Sequence, residues 1–397
     1  MTLEFNKLVQ QINKMGLTLA NQEKVNRERL DEAIKRLKEH GEVNEALRRR
    51  ARLASGWRVA IPIDEPPART FPPPPLPERA TIIATDGSQI YPDRHSFALY
   101  CLINVGCIVF EQGSGKRPYV ESEPQIFYEN EDIYEEHQLV EGNLLDLRRD
   151  IAEVRKLADW AEKVEDRPIL ALADGTLLLW VLEGLSQKAK NAKIKEYLTQ
   201  LDRLYKAKAA LAGFINRPHH AEVINLLYLA SLPEGQENDP QAWENNRFQG
   251  LTDRALFSFL EPGERSALFI SPSGVNKSYR ESGHEIIFFY VNVGTRDRKV
   301  IARMEMPVWA REVSVGGQSL LQIAHAIVRK QCQVPGENPY PYVLTRAHEI
   351  AVVSYQEKEE LEKMILAELV RNNLFPSWSE KERIKKIISG PKRRHKL

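Results

Sequence analysis

Two short sequences, Asp86-Gly87-Ser88 and Asp174-Gly175-Thr176, each follow an apolar run that reads as a buried strand. An aspartate directly after such a strand and before a glycine sits where the backbone turns, with its side chain projecting from the carboxyl end of the sheet. Taken singly, Asp-Gly is an ordinary turn dipeptide. Two such strands placed side by side would bring Asp86 and Asp174 together. Carboxylates at that distance repel, and a divalent cation relieves the repulsion. The chemistry open to the pair is therefore divalent-metal chemistry.

The elements that must position them follow from apolar patterning. Residues 80–85 read as a strand, and apolar segments at 97–110 and around 119–128 suit two more, joined by turns at 113–118. Residues 135–163 read as one long amphipathic helix, and 168–173 as a fourth, buried strand. The right-handed crossover preference makes the first and fourth strands parallel neighbours. Beyond Leu177 the pattern is helical through 186–212 and 221–229, with a polar loop at 233–247. Strands return at 284–293 and 299–306, followed by helices at 319–329, 341–354 and 358–372. No repeat of 20 to 50 residues is present, which argues against a solenoid.

The flanks differ in character. Residues 3–54 read as one or two charged helices, and the eight prolines from Pro62 to Pro77 impose an extended linker. The expected division is a helical extension over 1–60, a proline-rich linker over 61–79, a catalytic domain over 80–357 with a helical insertion near 186–260, and a C-terminal helix and basic tail over 358–397. The tail from Lys381 onward holds eight Lys or Arg against the single acid Glu382. Such a run can neutralise phosphates, although a charge run is more often a solvated face or frayed end.

Composition narrows the class. A chain of 397 residues with 42% hydrophobic content can build a sizeable core. Its apolar runs are too short to span a bilayer, and the charged N-terminus lacks signal-peptide character, so a cytoplasmic protein without a membrane segment is expected. Cys101, Cys107 and Cys332 form no CxxC pair, which argues against a cysteine zinc site or a disulfide framework. The net charge of +1 gives no global nucleic-acid signature, so local patches must carry any such contact.

Several separated blocks share an order. ATDGSQIYPDRH (84–95), LALADGTLLLW (170–180), AGFINRPHH (212–220), DRALFSFLEPGERS (253–266), ARMEMPVWA (302–310) and YPYVLTRAHEIAVV (340–353) resemble the successive blocks of the NurA family of repair nucleases. The resemblance covers about residues 80–355 and implies an α/β fold with a ribonuclease-H-like core, a mixed five-stranded sheet flanked by helices. It also implies manganese-dependent DNA cleavage with single-strand endonuclease and 5′ to 3′ exonuclease action. A homodimer is expected, working with a HerA-type hexameric ATPase on broken DNA ends. Residue by residue, Asp86 and Asp174 match two acidic ligands, and Tyr340 and His348 match a late tyrosine and histidine. A helical glutamate falls on Glu153, with Glu141 and Glu162 as alternatives.

In a two-ion mechanism, cations about 3.5 to 4 Å apart activate a water and stabilise the leaving oxygen. Asp86 would bridge them, Asp174 and Glu153 would complete opposite sides, and His348 would bind a metal or move a proton. Oxygen ligands with an imidazole suit Mn²⁺ or Mg²⁺. Tyr340 would hydrogen-bond a phosphate or stack on a base, with packing as its alternative. Arg217 and Arg265 are candidate phosphate contacts, with structural salt bridges as the alternative. Two competing functions are a catalytically inactive subunit that binds DNA or a hexameric ATPase, and an actin-like ATPase. No glycine-rich adenosine-binding segment or P-loop supports the latter.

Overall fold

The computed structural model describes residues 4–39, 45–54, 56–135, 138–140, 142–184, 187–336 and 338–374, so the basic tail and Glu141 lie outside the described residues. Nine strands form one sheet: β1 Ile61–Pro62, β2 Ala80–Ile90, β3 Cys101–Gln112, β4 Tyr119–Phe127, β5 Ile169–Asp174, β6 Ala209–Ile215, β7 Phe269–Ile270, β8 Ile286–Asn292 and β9 Ile301–Pro307. Their spatial order is β1-β7-β8-β9-β6-β5-β2-β3-β4. The main helices are α1 Val9–Glu39, α2 Glu45–Leu53, α3 Asn143–Lys163, α4 Gln187–Lys206, α5 Glu222–Ser231, α6 Leu320–Gln333, α7 Tyr342–Ala351 and α8 Tyr355–Arg371.

The expected five-stranded unit is the run β4-β3-β2-β5-β6. Strands β2, β3 and β4 form an antiparallel meander, and β5 lies parallel to both β2 and β6. With the meander as first to third strands, this is the third-second-first-fourth-fifth order of a ribonuclease-H-like core. The sheet does not stop there: β9, β8, β7 and β1 continue it antiparallel beyond β6.

Three features depart from the sequence reading. Residues 209–212, read as the end of a helix, instead open β6 (209–215), because Ala-Ala-Leu-Ala-Gly-Phe-Ile is buried almost throughout between two neighbours. Central parallel strands read as unbroken apolar runs, which periodicity alone does not separate from buried helix. Strand β2 does not turn at Asp86-Gly87; it stays paired with β3 through Asp86↔Gly106 and on to Ile90↔Leu102. The long helix begins at Asn143 rather than near 135, burying Leu147, Ile151, Val154, Leu157, Ala158 and Ala161 along one stripe.

The proline-rich segment is a strap tied to the body. Its start supplies edge strand β1, Glu65 pairs with Arg265 at 2.8 Å, Asp64 with Arg311 at 2.5 Å, and Pro75 accepts a hydrogen bond from Gln318. Ala33, Leu37 and Ala51 of α1 and α2 are buried in one cluster with Leu226, Trp243 and Phe257. The three cysteines are free and buried. Among the described residues no helix is long and apolar enough to cross a membrane.

Helix α7 lies against β2 and β3 at unusually short range. A Cβ added to Gly106 would stand 2.5 Å from both Ala347 O and Ala351 N. The helix end is fixed there too, because Ala351 O accepts from Ser88 Oγ at 2.5 Å and Asn104 Nδ2 at 2.8 Å. Gly106→Val should therefore push α7 off the sheet and cost about 1–3 kcal/mol, the usual range for overpacking. Urea unfolding measures this, and an unchanged midpoint would refute the tight contact.

Candidate active site

Parallel pairing of β2 and β5 runs in register from Thr81↔Ile169 to Thr85↔Ala173. The next residue on each strand is an aspartate, so Asp86, where β2 runs on past its parallel neighbour, stands beside Asp174 at the carboxyl end of β5. Gly175 makes the expected turn with φ +100°, whereas Gly87 serves a different purpose. Successive strand residues face opposite sides of a sheet. Asp86, like its partner Gly106, faces α7, while Gly87 faces α3. A Cβ at Gly87 would lie 2.5 Å from Glu153 Oε1 and 2.5 Å from Arg149 Cγ. The missing side chain thus admits a glutamate from the far side of the sheet.

The three acids are crowded. Burial lifts the Glu153 carboxyl well above the ordinary range, and the charges of Asp150, Asp86 and Asp174 add to the lift against the pull of Arg149. Asp174, exposed at the rim, is raised first by its dense surroundings and then by Asp86, while the Tyr340 hydroxyl, His348 and Arg149 oppose the rise. Glu153 itself is only 5% exposed.

Each carboxylate has one protein partner that limits the repulsion. Tyr340 Oη donates to Asp174 Oδ2 at 2.6 Å, and its ring meets Phe214 edge-on. Burial first, then Asp174, keeps that phenol protonated and so a donor. His348 Nδ1 lies 2.6 Å from Asp86 Oδ2, and the other oxygen of Asp86 accepts from Gly87 N–H at 2.9 Å. Arg149 is 3.2 Å from Glu153 and 2.8 Å from Asp150. Burial opposes its charge, and Glu153 and Asp150 more than restore it.

Of the sequence candidates, Asp86, Glu153, Asp174, Tyr340 and His348 are brought together. Glu162 is not: it is tied to Arg203 at 2.6 Å on the exposed side of α3. Arg265 is 8% exposed, with its terminal nitrogens on Glu65 and its guanidinium over Phe71, so it holds the strap rather than facing the acids. Arg217 is exposed with φ +49°, a conformation uncommon for a residue with a side chain. It follows β6, three residues past Phe214, the register partner of Asp174.

Sequence reasoning missed a second tier. Gln89 accepts from Arg149 Nη1 at 3.0 Å and donates to Asp146 at 2.7 Å, and Asp146 also accepts from Tyr91 Oη at 2.5 Å. The signal was present: Gly87 and Gln89 alternate along β2, and Tyr91, just past its end, continues the same spacing toward α3.

Among the described residues no group of three or more Asp, Glu, His or Cys side chains is placed to hold a metal ion. The donor set nevertheless fits a hard divalent ion. Asp86, Glu153 and Asp174 offer carboxylate oxygens, and after burial the charges of Asp150, Asp86 and Asp174 raise Glu153 while that of Asp86 raises Asp174.

A ribonuclease-H-like sheet with acids at the ends of its first and fourth strands defines the class, an α/β protein of the nuclease type. The NurA domain model matches residues 80–353. The chain belongs to the NurA family of nucleases. Among solved structures it is similar to the NurA nuclease from Sulfolobus solfataricus, at 12% identity and TM-score 0.49 over 93% of this chain and 97% of that one. NurA bound to dAMP and manganese is similar at 14% identity and TM-score 0.41, over 90% and 96% of the two chains. The catalytic domain of human endonuclease V gives 14% identity and TM-score 0.29, over 85% and 96%. Comparison with curated proteins returned no match.

The crowding has a pH signature. A carboxyl whose native pKa stands above its unfolded value of roughly 4.3 favours the fold fully below that value, and the benefit is lost as pH rises through the native pKa. Without metal, Glu153→Gln should therefore gain stability relative to the parent as pH rises above the unfolded carboxyl value of roughly 4.3. Urea unfolding in EDTA reads the difference, and a gap independent of pH would mean that Arg149 already neutralises Glu153.

Proposed function

We propose that this chain is a metal-dependent deoxyribonuclease of the two-ion type, with Asp86, Glu153 and Asp174 as acidic ligands and His348 beside them. The observation that carries the reading is the placing of Asp86 on β2 beside Asp174 on β5, with Glu153 of α3 admitted against Gly87. Mn²⁺, with Mg²⁺ as the other candidate, would supply Lewis-acid activation of water and phosphate when bound. Manganese accompanies dAMP in one related NurA structure, which supports that choice of ion.

The chain's own residues do the rest. Tyr340 holds Asp174 in place by donating to one of its oxygens, which leaves the other oxygen for a ligand role. His348 Nδ1 stands 2.6 Å from Asp86 Oδ2, and its side chain is 62% exposed, so Nε2 is open toward a departing oxygen. Arg149 keeps Glu153 close to Gly87 without occupying the rim. Arg217 stands at the same end of the sheet, where a guanidinium would grip the strand's phosphates. Single-strand endonuclease and 5′ to 3′ exonuclease action, a homodimer and a HerA-type partner belong to the same reading and rest on family membership.

End-labelled single-stranded and duplex DNA incubated with Mn²⁺, Mg²⁺ or EDTA tests the activity. Cutting should require the metal, and Asp86→Asn should lose more than the roughly 10–100-fold typical of outer-shell metal partners. Full activity in a folded Asp86→Asn protein would sink the assignment. Arg217→Ala should leave kcat nearly unchanged, raise KM, and lower the salt slope of DNA binding by about 1. An unchanged slope would remove Arg217 from the DNA path.

A further inference from the structure

Two buried acids share one buried cation in the middle of the sheet. Arg303 and Glu305 alternate on β9 and are each 0% exposed. Arg303 Nε donates to Glu305 Oε1 at 2.9 Å, Nη1 donates to Glu222, and the guanidinium lies 3.7 Å over the Phe288 ring. Ser271 Oγ donates to Glu222 as well. Buried ion clusters of this kind are often no more stable than apolar residues of the same volume. Stability alone therefore does not account for the cluster.

The other oxygen of Glu305 supplies a reason. Its Oε2 accepts from Thr176 Oγ1 at 2.7 Å and from Leu177 N–H at 2.9 Å. Both donors belong to the loop that begins at Asp174. Glu305 sits across β6 from that loop, and the residue between them is Gly213, register partner of both Ala173 and Glu305. A Cβ at Gly213 would stand 2.6 Å from Gly175 O and 3.0 Å from Leu177 Cγ. The loop thus folds down over a bare stretch of β6 to reach the carboxylate on β9. The loop backbone is also held by Gly175 N–H on Phe214 O at 2.9 Å, by Tyr197 Oη donating to Leu177 O at 3.0 Å and by Leu179 N–H on Tyr279 Oη at 3.3 Å.

We propose that Glu305, held in orientation by Arg303, is a positioning residue that clamps the Asp174 loop through Thr176 and Leu177 and so keeps the Asp174 carboxylate beside Asp86 and Glu153. Glu305 touches neither substrate nor metal. The inference rests on the nuclease reading insofar as Asp174 is a metal ligand. A glutamine at 305 cannot replace the acid, because whichever way its amide points, its NH₂ group confronts a donor, Arg303 on one side or Thr176 and Leu177 on the other.

The full chain with Thr176→Val, which removes one donor to Glu305 together with the acceptor of Leu178 N–H and leaves the Arg303–Glu305 pair intact, is the sharper test, read in exchange at Leu177 rather than Leu178; Glu305→Gln is the stronger perturbation. Both are measured by Mn²⁺ titration with electron paramagnetic resonance and by amide exchange of the 174–180 peptide. DNA cleavage is followed as a function of Mn²⁺ concentration. Expected for Thr176→Val are an Mn²⁺ midpoint weakened about tenfold, faster exchange confined to the loop, and a kcat at saturating Mn²⁺ within about twofold of the parent. A merely structural role would lower the melting temperature without moving the Mn²⁺ midpoint. Parental midpoints and loop exchange in folded Thr176→Val would overturn the clamp, whether or not Glu305→Gln folds. A parent that binds Mn²⁺ but cuts no DNA would overturn the nuclease reading, and the clamp would stand on the metal and exchange shifts.

Discussion

Everything at the site depends on an absence, the side chain that Gly87 lacks. Asp86 faces one side of the sheet and Glu153 comes from a helix on the other, so any Cβ at 87 would close the passage between them. Glu153 is the buried member of the group, where a low local dielectric makes the neighbouring charges of Asp86 and Asp174 count for more than in water. The protein meets these charges with one partner per carboxylate: a phenol for Asp174, an imidazole for Asp86 and a guanidinium for Glu153. None of the three closes the centre. Each leaves oxygen lone pairs directed at the rim.

The same device recurs where helices and loops must come close. Gly106 lets α7 carry His348 down onto Asp86, and Gly213 lets the Asp174 loop descend toward β9. Polar reach then fixes what close packing allows. Asp253 shows this outside the site: its carboxylate accepts from Val223 and Ile224 N–H at the start of α5 and from Tyr290 Oη. Ala221, at the head of that helix, has no side chain able to do so. Burial drives the Asp253 carboxyl up to about 7, and these three donors hold it down against that pressure.

Much of this was legible in the residues. Alternation and apolar runs locate β2 to β5 and the stripe on α3, and the paired Asp-Gly sequences locate the two aspartates. What escaped has physical causes. Residues 209–215 are alanine-rich and apolar on both faces, so neither period marks them as strand. Asp86-Gly87 looks like a turn, yet its glycine serves close approach, a distinction that depends on which helix lies opposite. Arg265 resembles a phosphate ligand until Glu65, 200 residues away in sequence, claims it. Glu153 could be chosen over Glu162 only once Arg203 was seen to hold the latter. Tyr340, expected at phosphate or base, instead supports an acid, a contact that no local spacing encodes.

The two ends of the large sheet share a property with consequences away from the site. One edge strand, β1, contains Pro62, and the other, β4, contains Pro124 directly after the acids Glu121 and Glu123. Proline offers no amide hydrogen to an incoming strand, and charges on an open edge disfavour a second chain's approach. A sheet this wide, with its strands assembled from residues as far apart as 61 and 307, exposes unpaired edges for as long as it is being built. These two prolines act as end-stops against edge-to-edge aggregation, protecting the chain during synthesis and refolding as well as in its finished state.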